Sequence, residues 1–258
     1  MRLMKRILSA AAALALSASL LVGCSSGTAS SVPVSASSAA ESTVSSVEET
    51  ASSAVDENEA AAAQLLNDLT GSYQELWPVI LADEYKQTWL DDCTALVGED
   101  NAEAAFEKLS SMVTGDVYGE DAVKAYANGG GAYFCGFTNS LAILTFDGET
   151  STISGTDKDG NVLFSHTYHY IGMEPVHGLY EFESDDADSG EFTYFFLAPD
   201  TSAETYHIEF RYGSDAEALS QYDTGEYAYW LASGISTDFD QTMIDNCIEL
   251  FCTENLAG

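Results

Sequence analysis

Short apolar segments in the second half of the chain constrain its fold most strongly. From Ala132 onward, runs rich in β-branched and aromatic residues alternate with Gly, Asp and Asn turns. Seven such runs follow one another with links of hairpin length: residues 132–138, 141–146, 151–156, 161–171, 178–184, 191–198 and 205–212. Because consecutive strands joined by short links pair antiparallel, the sequence predicts an up-and-down antiparallel β-barrel or a curled sheet.

Helical patterns flank this strand-rich region. Apolar residues recur at helical spacing over 58–69, 102–113 and 238–255, and the segment around Trp77 and Pro78 is expected to join two shorter helices. Such helices would cap an open end of the barrel or cover its side. The expected fold class is therefore mainly β with N- and C-terminal helices. Residues 59–258 are long enough to form one domain with a substantial core.

The first 23 residues have the features of a secretory signal. Basic residues near the start precede an apolar run that is short for a membrane span. The run ends in Leu-Val-Gly-Cys at 21–24, which matches a bacterial lipobox and predicts cleavage before a lipidated Cys24. An ordinary signal peptide with a chance cysteine is the alternative. More than one acyl chain on Cys24 would anchor the protein stably in a bilayer, so we expect an extracytoplasmic location on the bacterial cell membrane.

Residues 24–58 are predicted to form a flexible tether that begins at the lipidated cysteine. After Cys24 they are mostly Ser, Ala, Thr, Val and acidic residues, without an aromatic side chain. Such a segment cannot bury enough apolar surface to offset the entropy lost on ordering. The tether would hold the folded domain away from the membrane.

The chain is strongly acidic, with 42 Asp and Glu against 8 Lys and Arg and a net charge of −34. Removal of the leader takes away Arg2, Lys5 and Arg6, which leaves 5 bases and a net charge of −37. Nucleic acids and anionic lipid surfaces require clustered basic residues, so neither is expected as a partner. The charge permits cation binding, although the solubility of an extracellular domain explains most of the acids.

Four cysteines remain in the domain: Cys93, Cys135, Cys247 and Cys252. Outside the cell, this even number predicts at least one disulfide and up to two, with three possible pairings. No two of these cysteines have the C-x-x-C spacing, so a zinc–thiolate site is not indicated.

The segment ETYHIEFRYGSD, residues 204–215, holds the most informative polar residues. On a β-strand, alternation places His207, Glu209 and Arg211 on one face, and Tyr206, Ile208, Phe210 and Tyr212 on the other. The polar face can form part of a metal site. In the alternative interpretation, Arg211 pairs with Glu209 and His207 forms a hydrogen bond within the barrel wall.

Other motif searches exclude several kinds of site. The acidic segments 157–162 and 185–191 lack the glycine and glutamate of a calcium-binding loop at the required positions, and are predicted to be hairpin turns. The chain has no G-x-S-x-G, and its Gly-rich stretch 128–132 lacks the residues of a P-loop or a dinucleotide fingerprint. We therefore expect a protein that is not an enzyme.

Four segments carry a resemblance to a known family: LTGSYQELWPVI (69–80), SHTYHYIGMEPVHGLYEFES (165–184), FTYFFLAPDTSAETYHIEFRYGSD (192–215) and YAYWLASGI (227–235). Over about residues 63–255 the chain resembles the ZinT (YodA) family of secreted zinc-binding domains. The resemblance implies a calycin-like barrel that binds zinc, or in some cases cadmium, at its mouth. Related domains are fused to zinc-uptake lipoproteins, so a metal ABC transporter is an implied partner.

The resemblance carries over only part of a ligand set. Counting back from Gly213, the H-x-H motif of the family falls on His207 and Glu209, and glutamate is a competent zinc ligand. The earlier histidine of the family has no counterpart in residues 194–197. His177 and His169 are the expected suppliers of a further ligand, and alternation places His169 and His166 on opposite faces of their strand.

The expected function is that of a membrane-anchored extracellular protein that binds divalent metal, with Zn²⁺ first. It would act as a metal buffer or as a donor to metal uptake. The alternative is a calycin-like domain that has lost metal binding. Such a domain would bind a small apolar or peptide-like ligand, or a surface partner, at the barrel mouth.

Overall fold

The computed structural model describes residues 57–257. The predicted leader, the predicted lipidation site Cys24 and nearly all of the predicted tether lie outside these residues. Residues 57–68 are helical, so the last two residues of the predicted tether belong to the first described helix. Within the described range, no helix combines the length and the apolar character that crossing a membrane requires.

The described elements are, in chain order, α1 (57–68), β1 (Gly71–Glu75), α2 (Leu76–Ile80), α3 (Lys86–Val97), α4 (Glu99–Val113), α5 (Glu120–Ala127), β2 (Ile143–Asp147), β3 (Thr152–Thr156), β4 (Val162–Met173), β5 (Tyr180–Ser184), β6 (Tyr194–Leu197), α6 (Ser202–Thr205), β7 (Ile208–Gly213), α7 (Ala216–Leu219), β8 (Ala232–Ser236) and α8 (Gln241–Leu256). Single 3₁₀ turns occur at Asp83–Tyr85 and Gly190–Phe192.

The strands form one closed barrel in which each strand pairs antiparallel with the next, and β8 pairs with β1. Closure satisfies the backbone hydrogen bonds that an open sheet leaves at its edges. The predicted antiparallel barrel with N- and C-terminal helices is therefore confirmed. The acidic segment 157–162 forms the predicted hairpin turn, in which the Asp157 carboxylate accepts the backbone N–H groups of Asp159 at 2.9 Å and Asn161 at 2.8 Å.

Two predictions about individual elements were wrong, and two strands were missed. Residues 132–138 are not a barrel strand, because Phe134 forms only isolated bridges to Thr114 and Trp230. The strands β1 and β8, which close the barrel, were not predicted. Trp77 and Pro78 lie in α2 directly after β1, so this segment joins a strand to a helix and does not join two helices. Pairing with strong neighbouring strands outweighs the weak local β preference of the sequences GSYQE and ASGIS.

The barrel interior is a packed aromatic core. Phe210 lies opposite Ala232 across the β7–β8 pair, and both side chains are buried in the interior cluster. The rings of Phe195 and Tyr212 stack with their centroids 5.4 Å apart. Leu65 of α1 belongs to the same cluster, so α1 packs onto one end of the barrel. The inward-facing side chains thus fill the space that wider barrels use for ligands.

A second apolar cluster covers the outer wall of the barrel. It joins α3, α4 and α8 to the outward-facing Ile235 of β8, and includes the fully buried Trp89 and Leu109. The Trp89 indole N–H donates to the carbonyl oxygen of Ile80 at 2.7 Å, which satisfies the one polar atom of this side chain. The outer face of the barrel beneath these helices is therefore shielded from water.

Candidate functional site

The start of β7 brings two predicted ligands together. Helix α6 ends at Thr205, and the left-handed conformation of the next residue, Tyr206 (φ 66°), turns the chain into the barrel wall. From Ile208 onward, even-numbered side chains enter the interior core, so His207 and Glu209 face outward. His207 lies against Cys247 of α8, and the two predicted ligands therefore sit under the C-terminal helix, on the outer side of the barrel wall.

The contacts of His207 determine which of its nitrogens can bind a metal. Nδ1 lies 2.7 Å from the carbonyl oxygen of Thr205, which can only accept a hydrogen bond, so Nδ1 carries the proton. Nε2 lies 3.8 Å from Oε1 of Glu209. A hydrogen bond from one ring nitrogen to a carbonyl is the usual way to orient the other nitrogen toward a metal. Nε2 and the Glu209 carboxylate are thus two adjacent groups that can each act as a metal ligand.

The surroundings of His207 also favour its protonated form. Its side chain is 3% exposed. Burial opposes a charge on the imidazole, but the contacts with Cys247 and Glu209 outweigh burial and raise the pKa of His207 well above its ordinary value. A metal ion at Nε2 would therefore have to displace a proton.

Arg211 is not the ion-pair partner of Glu209. Its guanidinium is fully buried and donates to the carbonyl oxygens of Leu219, Gln221 and Tyr227. Among the described ion pairs, none joins Arg211 to Glu209. The alternative interpretation of this strand is therefore wrong about the Arg211–Glu209 ion pair. Its prediction that His207 forms a hydrogen bond within the barrel wall is confirmed. Arg211 holds the segment after α7 against the barrel, and the Glu209 carboxylate instead lies 3.8 Å from Nε2 of His207.

His177 belongs to a different buried cluster. Its ring centroid lies 3.7 Å from that of Tyr222, and the Arg211 guanidinium carbon lies 4.1 Å from the same ring centre. Nδ1 of His177 lies 3.4 Å from Oε2 of Glu174, which is fully buried. His177 therefore contacts Glu174 and Tyr222.

Glu174 supplies the negative charge of this cluster. Its carboxylate accepts the backbone N–H of His177 at 2.5 Å and that of Val176 at 3.0 Å. Burial raises the pKa of Glu174, but the hydrogen bonds from His177 and Val176 outweigh burial and hold the pKa below its ordinary value. The carboxylate is thus held in its charged form near the buried Arg211.

His169 lies far from His207 and Glu209 on the barrel. It is exposed, with Nδ1 2.7 Å from Oδ1 of Asp185, and it stands opposite Glu183 on β5. Across the sheet, Glu183 lies opposite Tyr194 of β6, which in turn lies opposite Gly213 of β7. Three strand spacings separate β4 from β7, which is about 14 Å, and Glu209 lies further along β7 than Gly213.

His166 faces inward, opposite Ile153, and its Nδ1 lies 2.9 Å from Oδ2 of Asp186. The predicted placement of His166 and His169 on opposite faces of β4 is confirmed. Each of these two histidines has a carboxylate partner of its own on the turn between β5 and β6.

The residues present fit a zinc ion in part. The structure brings His207 and Glu209 together, and it brings neither His177 nor His169 to them. Over residues 57–257, no group of three or more His, Cys, Asp or Glu side chains is arranged to hold a metal ion. Sequence reasoning missed Cys247, whose Sγ lies 3.9 Å from Nδ1 of His207. Helical spacing places Cys247 on a buried face, but only the packing of α8 shows which strand it meets.

Comparisons with known proteins identify similar structures. No protein-family profile matches the chain, and a search of curated proteins found no match. The Zn(II)-bound ZinT-like domain of Streptococcus pneumoniae AdcA is similar with a TM-score of 0.45 and 16% identity, over 71% of this chain and 89% of that one. Zn(II)-bound AdcA from the same organism gives a TM-score of 0.44 and 15% identity, over 72% of this chain and 35% of that one.

The present chain thus spans about a third of the length of AdcA. The zinc is a property of those two proteins, and at this level of identity the likeness concerns the fold alone. In that respect the chain is similar to a ZinT-like domain, the kind of domain that its sequence motifs resemble.

Proposed function

We propose that this protein is a membrane-anchored extracytoplasmic protein that binds a divalent metal, with zinc as the first candidate, and acts as a buffer or as a donor to metal uptake. One observation carries the proposal. Nδ1 of His207 donates to a carbonyl, which directs Nε2 toward the Glu209 carboxylate 3.8 Å away. Nitrogen and oxygen ligands of this kind suit zinc and do not exclude other divalent metals such as cadmium.

The incomplete ligand set bears on the expected strength of binding. Structural zinc sites use four protein ligands, and catalytic sites use three with one open position. Here two adjacent ligands lie together under α8, so water or a displaced neighbouring group would have to complete the coordination. We therefore propose exchangeable binding, which suits a protein that passes metal to a transporter.

The anchoring part of the proposal is supported by the sequence. The lipobox-like segment at 21–24 and the aromatic-free residues that follow it describe a lipid anchor and a tether. The high negative charge would also raise the local cation concentration around an extracellular domain. A metal ABC transporter in the same membrane is the partner that this arrangement suits.

A catalytic role for the same residues is disfavoured by their contacts. The His207 imidazole lies between the Cys247 thiol and the Glu209 carboxylate, which is the order of groups in the active sites of cysteine hydrolases. However, Nδ1 of His207 already donates to the Thr205 carbonyl, so it cannot accept the thiol proton. The thiol is also buried beneath α8, with Cys247 only 2% exposed. We propose that the protein acts without catalysis.

Calorimetric titration with zinc tests the metal proposal. The purified full-length protein, stripped with a chelator, should bind about one zinc ion per chain. His207→Ala should abolish this binding, because it removes the only imidazole beside Glu209. At pH values below the raised pKa of His207, the zinc affinity should increase up to tenfold for each pH unit, because zinc binding displaces one proton from the imidazole.

His169→Ala is the matched control, since it removes an exposed histidine on a distant part of the barrel wall and should leave binding unchanged. Circular dichroism must show that His207→Ala remains folded. Weak binding at many sites, unaffected by His207→Ala, would mean that the acids merely attract cations. The metal proposal would then be abandoned.

A groove at the end of the barrel supports a second candidate, metal-independent ligand binding. The groove has a volume of about 520 Å³ and is lined by Leu65 and Asp68 of α1, Tyr180, Pro199 and Thr201, among others. Because the interior is packed, a small peptide-like ligand would have to bind at a surface groove such as this one. Absence of bound zinc, together with saturable peptide binding that is lost in Tyr180→Ala, would favour this candidate.

A further inference from the structure

We infer that Cys93 and Cys252 form a disulfide when the protein is exposed to an oxidising environment, and that Cys135 and Cys247 remain thiols. All four cysteines are buried thiols in the described chain, so the disulfide expected from their even number is not present in it. Sequence alone left three pairings open. The structure distinguishes these pairings, because it places only one pair of sulfurs together.

The two sulfurs meet at a helix–helix contact. Cys93 lies on α3 and Cys252 lies on α8, and their Sγ atoms are 4.0 Å apart. A disulfide bond is about 2.05 Å long, so the sulfurs must approach by about 2 Å. This approach would require rotation of the two side chains and a small shift of one helix. Both residues are fully buried in the outer cluster, so the new bond would replace one apolar contact with another.

The other two cysteines have different neighbours. Cys247 lies against the imidazole of His207, at 3.9 Å. The Cys135 Sγ lies 4.0 Å from the carbonyl oxygen of Tyr133. Between residues 57 and 257, no second pair of cysteine sulfurs is in contact.

The reaction is a thiol–disulfide exchange with an external disulfide, such as oxidised glutathione or a disulfide-carrying oxidase. The thiolate of one cysteine attacks the external disulfide, forms a mixed disulfide and releases one thiol. The thiolate of the second cysteine then attacks the sulfur of the first cysteine in this mixed disulfide, which forms the Cys93–Cys252 bond and releases the second external thiol. The protein loses two hydrogens, and the external disulfide gains them. Burial raises the pKa of both thiols, so we expect exchange during folding or transient opening of the helices.

Peptide mapping tests this pairing. The full-length protein is refolded with oxidised glutathione, alkylated without reduction and digested. We expect one linked peptide pair joining Cys93 to Cys252, with Cys135 and Cys247 alkylated once the protein is denatured. The oxidised protein should melt about 5–15 °C above the reduced one, because the bond joins residues that are distant in sequence.

Single-serine variants provide the matched controls. Cys93→Ser and Cys252→Ser should each abolish the linked peptide and the difference in melting temperature, whereas Cys135→Ser and Cys247→Ser should retain both. The wild-type map does not depend on whether a variant folds. Recovery of Cys93 and Cys252 as free thiols from the refolded wild-type protein, or of any other pairing, would overturn the inference. Zinc binding at His207 does not enter this test, so the two proposals can fail independently.

Discussion

At the scale of single residues, Arg211 shows how the polar residues of one strand serve different purposes. Alternation correctly predicts that His207, Glu209 and Arg211 share the outer side of the wall. It does not reveal that a loop covers Arg211 and supplies three carbonyl acceptors, while α8 covers His207. The partner of each side chain depends on tertiary packing, and the sequence pattern gives only the face.

Arg211 is expected to be among the most important residues for stability. Arg211→Met should lower the free energy of unfolding by about 3 kcal/mol or more, because buried carbonyls lose their donors and Glu174 loses a compensating charge. Arg211→Lys should lie between Met and wild type, since it keeps the charge but loses the fork of donors. Urea unfolding measures the differences. Lys124→Met, at an exposed cation, should stay within about 0.5 kcal/mol of wild type, and an equal effect of both changes would contradict the structural role of Arg211.

At the scale of elements, strand and helix patterns predict what local sequence determines. The hairpins from β2 to β7 follow from alternating segments and their turns, and the residues of α1, α4 and α8 show helical spacing. The missed strands β1 and β8 are defined by pairing with each other and with β2 and β7. Barrel closure is a long-range property, so a window of residues cannot show it.

The contact between α1 and the β2–β3 turn gives a prediction at this scale. A Cβ atom at Gly148 would lie 2.4 Å from Cα of Asn67 and 2.6 Å from the carbonyl oxygen of Leu66. Gly148→Ala should therefore push α1 from the barrel and cost about 1–3 kcal/mol of stability, because these are backbone atoms that cannot rotate away. Thermal unfolding measures the loss. Gly172→Ala is the control, since its nearest neighbour is a carboxylate oxygen 3.6 Å away, and equal losses would show that the close approach is not limiting.

At the scale of the whole molecule, architecture is more predictable than the site. The barrel, its antiparallel order and its terminal helices follow from composition and periodicity over many residues, where single errors average out. The site depends on a few histidines, and each of the four contacts a different partner. The pairs are His166 with Asp186, His169 with Asp185, His177 with Glu174, and His207 with the Thr205 carbonyl. The prediction that His177 or His169 would join His207 and Glu209 is therefore not met by the folded chain.

The mode of attachment to the cell is the prediction that belongs to the whole molecule. Cys24→Ser should abolish incorporation of labelled palmitate and leave the precursor unprocessed or cut elsewhere, because a lipoprotein peptidase requires a diacylated cysteine after the small Gly23. Cys135→Ser is a suitable control, since it removes a buried thiol of the barrel domain and should leave labelling unchanged. Undiminished labelling of Cys24→Ser would contradict the anchor. Without the anchor a metal-binding domain would diffuse away from the cell, so the proposed role as a donor to a membrane transporter depends on this cysteine as much as on His207.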